Sequence, residues 1–131
     1  MAIFRFTMNV SFDGVDEGTF DRAAGLALDE LLRREASGVF RHARVLGRRD
    51  ARLLKVILEF ESAGLNAAHT FGFDQAASVI AKLGADVRDW YETPHVAVTE
   101  DDGTDEWDIL VEELRSARIT PSTASVEAVT A

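Results

Sequence analysis

Between Ala51 and Ser62 the chain reads ARLLKVILEFES, and no other stretch restricts the possible folds as tightly. Leu54, Val56, Leu58 and Phe60 recur at every second residue, and Leu53, Lys55, Ile57, Glu59 and Glu61 alternate with them. Successive side chains of a strand point to opposite faces, so this pattern predicts a strand with one buried face and one mixed face left open. Such a strand needs paired neighbours and a layer that covers its apolar side.

The N-terminal residues Ile3 to Asp13 provide one neighbour. Phe4, Phe6, Met8, Val10 and Phe12 fall on one face, and Arg5, Thr7, Asn9, Ser11 and Asp13 fall on the other. After Gly14, the residues Asp16, Glu17 and Thr19 have the chemistry of a helix start, and the helix is expected to reach about Ala36. Phe20, Ala24, Ala27, Leu28 and Leu31 form its apolar stripe, and Gly38 stands where a left-handed terminating residue belongs. Val39 to Leu46 reads as a second strand of open facing: either Val39, Ala43 and Val45 point inward, or Phe40 and Leu46 do. Gly47-Arg48-Arg49-Asp50 then turns the chain into the 51–62 strand, which makes a hairpin.

A second helix is expected from Asn66 to Leu83, with Phe73, Ala76, Ala77, Ile80 and Leu83 inward. Gly72 marks a point of interruption, Asp74 a cap for the later part, and Gly84 the end. Val87 to Thr93 reads as the last strand, closed by Pro94. Two right-handed crossovers split by a hairpin predict an α+β, ferredoxin-like βαββαβ arrangement. It is an antiparallel sheet with the first and third strands central and two helices on one face.

Residues 1–98 thus make one domain, and residues 99–131 an acidic C-terminal extension. Of the net charge of -9, the extension carries -7 and the preceding residues only -2, an asymmetry that points to an interacting arm. Within it, Trp107, Leu110, Val111 and Leu114 recur at helical spacing and predict a short amphipathic helix near 105–117. A short helix is marginal alone in water, so this stripe is expected to dock on its own domain or on another chain. The low-complexity tail from Ile119 to Ala131 is small and polar and is expected to lack structure of its own.

No catalytic signature stands out. With no cysteines there is no thiolate metal site and no cysteine nucleophile, and His42, His69 and His95 have no spacing that would join two imidazoles on one metal. Ser62, Ser78 and Ser116 lack a nucleophile-elbow context, so no catalytic, cofactor-binding or metal-ligating residue is assigned. An acid-base pair between His42 and Glu59 across the hairpin depends on the register.

Two features suit recognition of a partner. Arg41, Arg44, Arg48, Arg49 and Arg52 crowd the second strand and the hairpin tip, and guanidinium forks match carboxylates or phosphates. The open sheet face carries Arg5 and Lys55, and Arg88 or Trp90 joins it from the expected last strand in one facing, but its central strands offer no aromatics for base stacking, which disfavours nucleic acid. The expectation is a non-enzymatic interaction or structural module that self-associates or joins a larger assembly, such as a virion or other particle. Its contacts would be the open face, the arginines and the stripe of Trp107, Leu110, Val111 and Leu114. A small cavity enzyme or ligand-binding regulator is the alternative, and weak nucleic-acid binding through the arginines the third reading. The N-terminus alternates apolar and polar residues and shows no signal peptide, and no stretch is long and apolar enough for a membrane span. A cytoplasmic setting, or a virion for a phage-encoded chain, follows as the default.

Overall fold

The structure is a computed structural model that describes residues 2–83, 114 and 118–129. Its elements in chain order are strand β1 (Ala2–Asp13), helix α1 (Glu17–Ala36), strands β2 (His42–Arg48) and β3 (Leu53–Ser62), helix α2 (Leu65–Lys82) and strand β4 (Arg118–Ala128). The strands form a sheet of order β2-β3-β1-β4 in which every pairing is antiparallel. The molecule is therefore of the expected α+β class, with β1 and β3 central. Among the described residues, no helix is long and apolar enough to cross a membrane.

The period-two pattern becomes the core directly. Phe6, Met8, Val10 and Phe12 of β1 and Leu54, Val56, Leu58 and Phe60 of β3 are all buried on one face of the sheet. Both helices cover that face. The Phe20 ring of α1 meets Phe12 edge-on at 5.8 Å, and from α2 the Phe71 ring meets Phe60 at 4.7 Å. Facing in β2 resolves in favour of Ala43, which is buried, and Val45, which packs against the core, while Leu46 points the other way. Phe40, just before the strand, is nevertheless buried, because the approach to β2 passes over the core before pairing begins.

Helix α1 starts and stops as its sequence predicts. The Asp16 side chain accepts a hydrogen bond from the Thr19 backbone N–H at 2.7 Å, the N-cap arrangement. At the other end Gly38 has φ of 86°, with Val39 N–H donating to the Arg34 carbonyl and Gly38 N–H to that of Glu35. This is the paired closure that a left-handed residue permits. The Thr19 N–H holds the Asp16 carboxyl below the usual carboxylate value. A depressed pKa in the folded state adds stability above the unfolded pKa, and that contribution is lost as pH falls through the folded value. Asp16→Ala is thus expected to lower the melting temperature at neutral pH and to have little effect below both values. A melting series across acidic pH checks this, and an equal loss at every pH would show that the cap is not the cause.

Helix α2 runs unbroken through Gly72, and Asp74 is an interior residue instead of a cap. Gly72 is buried directly against Phe6, and that close approach, not an interruption, accounts for the glycine.

The largest departure concerns the C-terminal tail. The expected strand at 87–93 lies outside the described residues, as do the division at residue 98 and most of the stretch expected to be helical near 105–117. The segment expected to lack structure forms β4, which pairs with β1 from Phe4–Ala128 to Asp13–Arg118 and skips one residue of β4 between Asn9 and Val10. Tertiary context overrides composition here. A central β1 offers a second row of backbone donors and acceptors, and Ile119, Ala124 and Val126 supply the apolar contacts to the core.

Candidate functional site

Among the described residues, no element lies over the second face of the sheet. The registers place its side chains in rows running across β2, β3, β1 and β4. One row is His42, Glu59, Arg5 and Glu127; the next is Arg44, Ile57, Thr7 and Ser125; a third is Leu46, Lys55, Asn9 and Thr123. This is the open face that the alternation in β1 and β3 predicts, extended by a strand that composition did not reveal.

The first row is electrostatically organised. Arg5 donates to Glu59 Oε1 from Nη2 at 2.7 Å and from Nε at 3.0 Å, and its Nη1 lies 3.3 Å from Glu127 Oε1. The hydrogen bond to Glu59 is the main reason the already high pKa of Arg5 is raised further. Arg5 thus ties three strands together while its side chain remains 40% exposed. On the third row, Asn9 Nδ2 donates to Thr123 Oγ1 at 2.6 Å. Ile57 and Leu53 are half-buried between these polar positions, and Leu46 is 46% exposed.

His42 and Glu59 do stand opposite each other in the register. They do not pair: Glu59 is taken by Arg5, while His42 Nδ1 lies 3.5 Å from Glu35 Oε1. The same Glu35 oxygen accepts from the Ala43 backbone N–H at 2.7 Å, so a helix carboxylate covers part of the sheet's β2 edge.

The five arginines divide into three sets. Arg49 reaches Asp21 at 2.6 Å, and Arg52 donates to the Val15 carbonyl at 2.9 Å and lies 3.8 Å from Glu17, so both pin the hairpin tip to the start of α1. Arg52 also holds φ of 50°, and its carbonyl accepts from Phe12 N–H at 2.9 Å. Arg48 stands 3.8 Å from Asp50, with both side chains largely exposed. Arg41 and Arg44 are exposed at the β2 edge, and among the described residues their side chains make no hydrogen bond or ion pair. Leu114, from the expected amphipathic stripe, is buried within the chain's own core cluster. Trp107, Leu110, Val111 and His95 lie outside the described residues.

One cluster escaped the sequence reading. The side chains of Glu30 and Lys82, each about nineteen-twentieths buried, meet at 3.4 Å. Arg34 bonds Glu30 at 3.1 Å and reaches across to Gln75 Oε1 at 2.9 Å and Ser78 Oγ at 2.7 Å; Arg33 also bonds Glu30. The visible signal was Glu30, Arg33 and Arg34 at helical spacing beside Leu31. That Glu30 would be buried depends on α2 closing over it. The network locks the two helices together and leaves no vacant chemistry to assign. Among the described residues, no three His, Cys, Asp or Glu side chains gather to hold a metal.

No protein-family profile matches the chain, and neither a curated protein nor a solved structure matches it.

Proposed function

We propose that the chain is a ferredoxin-like association module, without catalytic activity, whose open sheet face docks on a second copy of the same chain. The observation that carries this reading is the makeup of that face. Three of its charges are closed into the strand-bridging set Glu59–Arg5–Glu127, and apolar Ile57, Leu53 and Leu46 lie among short hydroxyl and amide side chains. A sheet covered on one side only is a common site of association, because its second face can be removed from water without disturbing the backbone pairing. At the β2 edge, Arg41 and Arg44, whose side chains make no hydrogen bond or ion pair among the described residues, can meet acceptors on a neighbour, and the acid-rich residues 99–113 carry the opposite charge.

Molar mass in solution tests the reading. The chain is expected to have twice its single-chain mass at roughly 100 μM, and Ile57→Glu to weaken association by at least about tenfold, equivalent to about 1.4 kcal/mol. Ile57 is partly exposed, so the variant should fold. A wild-type chain that is monomeric at that concentration would remove the proposal.

A further inference from the structure

The open face carries an order of charges that specifies how two copies meet, and this inference rests on the self-association reading above. Across β2, β3, β1 and β4 the row His42, Glu59, Arg5, Glu127 alternates base, acid, base, acid. A two-fold axis running parallel to the strands, between β1 and β3, reverses the strand order while keeping each row in place. β2 then lies over the partner's β4, and β3 over the partner's β1. Arg5 then lies over the second copy's Glu59, and the His42 position over its Glu127, with the His42 imidazole itself turned to Glu35 of its own chain.

We infer that the chain dimerises face to face about this axis, with the alternating row as its register key. The next rows agree. Arg44, which has no partner among the described residues, comes over the hydroxyl of the second copy's Ser125, and Lys55 over the amide of its Asn9. The other two-fold arrangement of facing sheets, with the axis across the strands, stacks β2 on β2. That brings Arg44 and Arg48 of the two copies together, and like charges at close range oppose it. An interface made of the same patch twice must be complementary to itself, and only the first axis makes this patch so.

Because the chain has no cysteines, introduced thiols report position cleanly. Arg44→Cys and Ser125→Cys chains would be prepared separately, mixed to allow exchange, and treated with a bis-maleimide that spans the roughly 10 Å between packed sheets. The mixture is expected to give several-fold more cross-linked dimer than either variant alone, with intact mass identifying the mixed species. A dimer in which Arg44→Cys links to itself as readily, or in which neither site links, would overturn this register and leave self-association standing. A monomer by molar mass, for the wild type and both variants, would remove the self-association reading and this inference with it.

Discussion

Gly72→Ala is expected to be among the most damaging single-methyl changes in the protein. A Cβ at this position would stand 2.3 Å from Phe6 Cγ, 2.6 Å from its Cβ and 2.7 Å from its Cδ2. The nearest atoms belong to the root of a fully buried ring, so rotating the side chain cannot relieve the contact. Either Phe6 and β1 move, or α2 lifts from the sheet. Alanine in a helix interior is worth up to about 1 kcal/mol over glycine, while forcing atoms into a packed core costs about 1–3 kcal/mol and sometimes more. A contact this short belongs at the upper end, so the net loss is about 2–3 kcal/mol, or a fall in melting temperature of about 10 °C. Thermal melts of wild type, Gly72→Ala, Phe6→Leu and the double variant check it. The smaller side chain makes room, so the double variant should lose less than the sum of the singles. Strict additivity would show that Phe6 and Gly72 do not share the contact.

Removing residues 118–131 is expected to abolish cooperative folding. β4 pairs along nearly the whole of β1, and Ile119, Ala124 and Val126 pack against the core. Without them β1 becomes an edge strand with a full row of unpaired backbone groups beside exposed apolar surface, a template for aggregation. The lost pairing and burial amount to several kcal/mol, comparable with the roughly 5–15 kcal/mol that separates a small domain from its unfolded state. Circular dichroism and a thermal melt of the truncated chain test this, with a synthetic peptide of residues 118–129 added in trans as the rescue. A truncated chain that melts like the full one would mean that β4 contributes nothing. For the same reason, deletion of residues 99–131 does not isolate the role of the acidic stretch, and association is better probed by substitutions on the open face.

How much could be read beforehand differs from element to element. β1 and β3 were legible because each exposes one face and buries the other, and a period of two is written into the order of residues. α1 was legible from its cap and Gly38, and its stripe in part: Phe20, Ala27 and Leu31 are buried as expected, but Ala23 and Glu30 are buried as well and Leu28 stays outside the core cluster. β4 was not, since its run of Thr, Pro, Ser and Ala has almost no apolar alternation. A strand of that composition exists only because β1 presents a second edge. The open face could be predicted as a surface, but Arg5 bridging Glu59 and Glu127 could not, because it requires the register of three strands at once. The Glu30–Lys82 pair was invisible for a similar reason.

By itself, the amino-acid order determined which residues of β1 and β3 turn inward and where α1 begins and ends, because those choices depend on neighbours within a few positions. Tertiary structure alone decided that residues 118–128 form a strand, the closeness of Phe6 to Gly72 and the alternating row on the open face. Each of these joins residues far apart in the chain, and such meetings are set by which edges and surfaces remain unsatisfied once the local elements have formed.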